Sequence, residues 1–368
     1  MDETTNGTTR HRASSTVDAT TSDLATARRP RRATIEDVAS AAGVSVATVS
    51  RALRNLPNVA PSTRERVAEV ATSLNYQPDP AASRLAAGRT GTITVLVPHL
   101  SSWYFSHVIA GAEAVSAEAG YDFLVIGVGT SAECSRLLDE RYHLERRTDG
   151  VVLVNMPATD DEAESLRSRG VALATVGSYT KGYPSVRVDD FAVGVIAAHH
   201  LVGLGHHRVG LITGQGDDPM NFEVPQLRHA GFVQGLADLQ HQLDPDLVAS
   251  GDFGIDGGLE AMALLMEQPD PPTAVFAMSD EMAFGALMEL ERRALRPGID
   301  ISLIGVDDHE FARVVALTTI SQQVASQGAL AARALVASMA GASTPTEPVP
   351  SPVELIVRGT TGPAPAEH

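Results

Sequence analysis

The 368 residues are 43% hydrophobic and carry 28 lysines and arginines against 45 aspartates and glutamates, a net charge of −17. That length predicts two or three domains with a sizeable buried core, and no apolar run approaches the roughly 18 residues of a membrane span. The polar start MDETTNGTTRHRASSTVDATTSD has no apolar core, so no secretory leader is expected, and a single cysteine, Cys134, excludes an internal disulfide and suits a reducing cytosol.

The charge is uneven. Residues 28–90 hold ten arginines against five acids, whereas residues 91–368 hold 16 basic against 36 acidic residues. A basic end on an acidic body leaves one region suited to a phosphate backbone.

In chain order, residues 1–33 are rich in Ser, Thr and Ala without hydrophobic periodicity and are expected to be a disordered tail. The tail closes on RRPRR (Arg28, Arg29, Arg31, Arg32), suited to DNA phosphates. Thr34 and Asp37 then form an N-cap and N3 pair. Ile35, Val38, Ala39 and Ala42 recur at helical spacing. Gly43 supplies a tight turn and Ser45 caps a second helix, from which Val49, Ala52 and Leu53 point inward. Ser45, Val46, Ala47, Thr48, Ser50 and Arg51 are left mostly outside. A third helix from Pro61 to Leu74 is expected to pack Val67, Val70, Ala71 and Leu74 beneath the other two. Three short helices, the second presenting hydrogen-bonding side chains, make a helix-turn-helix headpiece over residues 34–78. PAASRLAAG follows, too short to be helical unaided.

From Gly91 the pattern changes to short apolar strands alternating with longer amphipathic helices. Strands are expected at 92–98, 122–128, 150–155, 172–177, 208–213, 274–279 and 300–306. Their continuous apolar character fits parallel strands covered on both faces. Their number fits two doubly wound lobes. The stretch Gly127-Val128-Gly129-Thr130-Ser131-Ala132 fits G-x-G-x-x-A, but no ribose-binding acid follows clearly, so a dinucleotide enzyme is disfavoured. His199, His200, His206 and His207 have no carboxylate or cysteine spaced for a metal, and neither metal nor cofactor is expected. The proline-rich tail after Ala342 lacks a leucine heptad, which leaves a dimer as the expected assembly.

TIEDVASAAGVSVATVSRAL, TRERV and LNYQP, then AASRLAAGRTGTI, HHLVGLGHHRVGLITG, LRHAGF, AMSDEMAFGAL, GIDISLIGVDD and LTTISQ resemble the lactose/galactose repressor (LacI) family of bacterial transcription regulators. The resemblance spans nearly all of residues 34–360. It implies a headpiece, a hinge over residues 79–90, a two-lobed periplasmic-binding-protein-like effector domain over residues 91–360, and a flexible tail over residues 361–368. It implies a cytoplasmic, non-enzymatic regulator, most simply a repressor, that binds a pseudo-palindromic double-stranded DNA operator as a homodimer. A transport-system solute-binding protein would share the two lobes but would lack residues 34–90.

The resemblance places Val46, Ala47 and Arg51 near base edges, where an arginine can fork onto guanine and the two apolar side chains can meet a thymine methyl. Thr34, Ser45, Thr48, Ser50, Thr63 and Tyr76 would hold phosphates, and Leu85 would wedge into the minor groove and kink the duplex. Ala60 departs from the family's capping serine, and Asp79 and Pro80 from its usual hinge residues. The effector is expected between the lobes, at the C-terminal ends of the strands. Trp103, Tyr104 and Phe105 would stack on a sugar ring, and Arg228, Phe253, Ser279, Asp307 and Gln322 would line the cleft by matching family motifs. Ser279 stands where the family usually has asparagine.

Overall fold

The computed structural model describes residues 33–77, 88–214, 220 and 222–365. The chain divides into two compact units, residues 1–80 and 81–368. The RRPRR cluster, most of the PAASRLAAG hinge and Leu85 lie outside the described residues.

The first unit contains α1 (Ile35–Ala42), α2 (Val46–Leu53) and α3 (Pro61–Ser73). Thr34 caps α1 reciprocally: its Oγ1 accepts from the Asp37 N–H, and Asp37 Oδ2 accepts from the Thr34 N–H at 2.8 Å. Helices this short are marginal alone. Tertiary burial of Val38, Ala39, Ala42, Val49, Ala52, Val67 and Ala71 holds them together. Gly43 ends α1 at φ 63°, a left-handed turn that only glycine adopts without strain. Ala60 gives α3 no side-chain cap, and Pro61 opens that helix. One expectation fails here. Leu74 is 38% exposed, because α3 ends at Ser73 and helical spacing no longer directs the next side chain inward.

The second unit holds β1 (Thr92–Val97), β2 (Asp122–Gly127), β3 (Gly150–Val154), β4 (Ala172–Val176), β5 (Ser185–Val188), β6 (Val209–Thr213), β7 (Val248–Ser250), β8 (Ala274–Ala277), β9 (Ser302–Asp307), β10 (Thr318–Ser321), β11 (Val349–Ser351) and β12 (Glu354–Ile356). They form two six-stranded sheets, ordered β11-β5-β4-β3-β1-β2 and β12-β10-β9-β8-β6-β7. Neighbouring strands run parallel except the β10–β12 pair. Each sheet has its own apolar core, one around Ile93, Leu96 and Leu153, the other around Leu211, Phe276 and Ile304.

The chain passes between the lobes three times. It crosses from β5 into the helix Asp190–Gly203, from β10 into the helix Val324–Met339, and from β11 into β12. The helices Asp190–Gly203 and Val224–Asp238 press together through glycine: a Cβ on Gly231 would stand 1.9 Å from the Phe191 carbonyl oxygen. That close approach brings Arg228 of one helix onto Asp190 of the other.

Candidate functional site

On the headpiece, α2 presents one continuous outer face. Val46, Ala47 and Arg51 are exposed, and Thr48 and Ser50 are half-buried beside them. Ser45 Oγ accepts from the Thr48 N–H and lies 2.8 Å from Thr48 Oγ1, which fixes both hydroxyls at the start of the helix. Thr34 and Thr63 open α1 and α3 and are half-buried. The Thr34 hydroxyl also donates to Asp37 at 3.0 Å, so a phosphate would have to share it. Tyr76 packs against the headpiece core.

In the second unit a cavity of about 420 Å³ opens at the C-terminal ends of the strands. Arg228, Phe253, Ser279, Asp307 and Gln322 all line it, as do Tyr104 and Phe105. Arg228 is fixed by two bonds, from Nε to Asp190 Oδ1 at 2.8 Å and from a terminal nitrogen to the Met278 carbonyl at 2.5 Å. Gln322 donates to Asp307. Ser279 Oγ accepts from the Met282 N–H, so it caps the helix Asp280–Arg292 as well as facing the cavity. The Tyr104 hydroxyl donates to Gln327 Oε1 at 3.2 Å.

Burial governs the electrostatics. It pushes Asp307 up to about 7, against the pull of Arg228 and the Gln322 bond. It also raises Asp190 despite the Arg228 guanidinium. Asp280 lies well above the usual carboxylate range for the same reason, with the Asp307 charge adding to the effect. Several wall residues sit in left-handed backbone: Asn155 at φ 55°, Asp252 at φ 49°, Phe253 at φ 52° and Asp307 at φ 125°. Such conformations cost free energy in residues other than glycine and cluster where a site needs a particular side-chain direction.

Trp103 departs from expectation. It is not part of the cavity wall, because one residue of helix turns the chain by about 100° and separates it from Tyr104 and Phe105. Its indole stacks on His107 and on His309, with ring centroids 4.0 and 4.8 Å away, and donates to Glu310 Oε2 at 2.5 Å. His309 and Glu310 follow β9, so this contact ties one lobe to the other. Glu281 makes a second tie: burial raises its carboxyl, and the Trp103 backbone N–H and the Ser102 hydroxyl hold it lower by donating to it. Trp103 is the sole tryptophan. Its fluorescence therefore reads the lobe contact directly, and Glu310→Ala should move the emission to longer wavelength as the indole N–H turns to water. An unchanged spectrum would mean the two lobes do not meet there in solution.

Asp190, Asn155, Glu281, Gln327 and Phe222 also line the cavity, and sequence reasoning passed over them. Asp190 carried one usable signal, two consecutive aspartates directly after a buried strand. Among the histidines, His206 lies within hydrogen-bonding distance of Thr273 Oγ1, Ser302 Oγ and the Gly362 carbonyl, a structural tie to the C-terminal segment.

A helix-turn-helix headpiece and a two-lobed body with a ligand-sized cavity, carried on one chain, define a ligand-responsive DNA-binding transcription regulator. Residues 34–79 match the model of bacterial regulatory proteins of the lacI family, and residues 198–361 match a periplasmic binding protein-like domain. The chain is 33% identical over 333 residues to the HTH-type transcriptional repressor CytR of Escherichia coli (strain K12), covering 89% of this chain and 96% of that one. It superposes with a TM-score of 0.76 on the lac repressor dimer bound to operator and the anti-inducer ONPF, at 27% identity, covering 90% and 99% of the two chains. The transcriptional regulator CelR in complex with cellobiose matches with a TM-score of 0.62 at 29% identity, covering 89% and 100%. The chain belongs to the lacI family of bacterial regulatory proteins. Among its described residues no helix is long and apolar enough to cross a membrane.

Proposed function

We propose that the protein is a repressor that binds a pseudo-palindromic operator as a homodimer, with an affinity controlled by a small sugar or sugar-like effector held between the lobes. The observation that carries this reading is the gathering of Arg228, Phe253, Ser279, Asp307 and Gln322, from five separate segments, around one cavity. An arginine beside carboxylates and an amide is suited to reading neighbouring hydroxyls, and the aromatic rings are suited to the apolar face of a pyranose or furanose. The CelR relative binding cellobiose and the lac repressor relative bound to operator as a dimer lend support.

In this reading residues 34–78 are the DNA-binding domain, residues 79–90 the hinge and residues 91–360 the effector and dimerisation domain. Helix α2 enters the major groove with Val46, Ala47 and Arg51 at base edges. Thr34, Ser45, Thr48, Ser50, Thr63 and Tyr76 hold phosphates, and Leu85 acts as the minor-groove wedge. The protein works in the cytoplasm, without cofactor or enzymatic activity. Exposed Phe311, Val314 and Val315 (60%, 79% and 42%) offer the effector domain an apolar surface for its second copy.

A footprint tests the reading. Protection should be two-fold symmetric, because one short helix reads too few bases and a dimer doubles them. Arg51→Ala should lower specific affinity by about 1–3 kcal/mol and leave non-specific binding nearly unchanged. An asymmetric footprint, or equal losses on specific and random DNA, would overturn it.

A further inference from the structure

Beside the cavity the lobes meet through a stack of side chains drawn from both. Trp103 and His107 stand one turn apart on the helix Trp103–Glu118 of one lobe, and His309 and Glu310 follow β9 in the other. The indole lies between the two imidazoles, and its N–H donates to Glu310 Oε2. His107 Nε2 stands 3.8 Å from that same oxygen. The His107 and Glu310 side chains are 36% and 52% exposed, so protons reach them from water.

Hydrogen bonding fixes the tautomers. His107 Nδ1 lies 2.9 Å from the Trp103 carbonyl, which can only accept, so the neutral ring carries its hydrogen on Nδ1 and a bare lone pair on Nε2. His309 is the reverse, because its Nδ1 accepts from the Phe311 N–H at 3.0 Å. That ring is packed among Trp103, Phe284 and Phe311, and burial lowers its basicity against the pull of Glu310. His309 stays neutral. The proton taken up by the stack goes to His107 Nε2, next to a carboxylate of the other lobe.

We propose that His107 and Glu310 form a proton-operated latch between the lobes. A proton on His107 Nε2 creates an ion pair across the contact and a cation on the face of the Trp103 indole, and its loss releases both. Histidine is the side chain that changes charge between about pH 5 and 8. Glu310 supplies the fixed partner: burial raises its carboxyl, but its own backbone N–H, the Trp103 indole and the two histidines bring it below its ordinary value.

The other groups around the stack do not oppose the cation. Glu281, on the helix Asp280–Arg292, accepts from the Trp103 backbone N–H and the Ser102 hydroxyl. Asp307 and Asp308 share a shallow depression with His107, where burial raises Asp307 and Arg358 binds Asp308 at 2.5 Å. The helix Val324–Met339 starts at the same depression and has no acidic residue in its first turn. Glu281 and Asp307 also line the cavity, so the latch biases the lobe arrangement around a ligand of any chemistry. Acid holds the lobes together and alkali frees them.

A double-mutant cycle on the full chain tests the latch, with His107→Gln, Glu310→Gln and the double variant unfolded in urea and followed by circular dichroism. Both positions reach water, and glutamine at 310 still accepts from the indole, so each variant should fold. At about pH 5.5 the two residues should be coupled by about two- to fivefold in the unfolding equilibrium constant, the range of a partly exposed ion pair. At about pH 8.5 the coupling should vanish, because stability from a histidine with an acidic partner is lost as pH rises. Contacts between His107 and Trp103 on their shared helix drop out of the cycle. Tryptophan emission gives a second reading, since protonated imidazole quenches indole: in Glu310→Gln the quench should develop at lower pH than in the wild type. No coupling at the acid pH, coupling as large at the alkaline one, or identical quench curves would overturn the proposal.

Discussion

Arg228→Met should destabilise the effector unit by about 3–5 kcal/mol, because it strands a buried carboxylate. The Arg228 and Asp190 side chains are only 4% and 6% exposed and meet at 2.8 Å. Replacing the guanidinium with an apolar chain of similar length keeps the packing and removes the main charge that holds Asp190 ionised at that depth, with Arg187 contributing less. The Met278 carbonyl also loses its donor. The cost has a pH signature. Burial already raises Asp190 above its ordinary range, and without Arg228 it rises further. The variant should therefore recover part of its deficit as pH falls and Asp190 takes up a proton, and should be weakest above neutrality. The double variant Asp190→Asn/Arg228→Met, with no charge left to bury, should regain much of the loss. Urea midpoints across pH measure this, and a pH-independent deficit would mean that lost packing, not stranded charge, is the cause.

Asp307→Ala should abolish the response to effector while operator binding persists. The physical basis is a chain of bonds leading from the cavity to the segments that join the lobes. Asp307 ends β9 and accepts from Gln322, which directly follows β10, at the second crossing. The Gln322 carbonyl in turn accepts from Gln327, on the helix Val324–Met339, and from the Ser351 hydroxyl at 3.2 Å, at the third crossing. A ligand hydroxyl on Asp307 thus pulls on two of the three connections at once. A ligand shifts an equilibrium only by its differential affinity for the two states, about 5.5 kcal/mol for a 99:1 reversal. Removing the carboxylate removes both the ligand contact and the first link. The comparison is operator affinity with and without a sugar that stabilises the wild type. A normal response from the variant would break the proposed coupling.

The headpiece was legible because its signals are local. Thr34 with Asp37, Gly43, Ser45 and the 3.6-residue stripe each act within one helical turn, so they form the same structure whatever surrounds them. The seven expected strands were legible for a related reason: parallel strands covered on both faces must be apolar along their whole length. The strands passed over were β5, β7, β10, β11 and β12. These are short, lie at sheet edges or at lobe crossings, and carry residues such as Arg187, Thr319 and Pro350 that dilute the apolar pattern.

The sequence by itself therefore determined the module order, the capped headpiece helices, the buried strands and, through family motifs, five residues of the cavity. Tertiary structure alone decided which side chains share that cavity and which way each faces. Trp103, Tyr104 and Phe105 are neighbours in sequence, yet helical rotation sends the first to the lobe contact and the other two to the cavity wall. Asn155 and Asp307 lie 152 positions apart, each at a strand end in left-handed backbone that periodicity does not register. Asp190 and Arg228 meet because glycine lets two helices nearly touch. Their pairing and the raised carboxyls depend on distance and burial between segments remote in sequence, and those quantities exist only once the chain has folded.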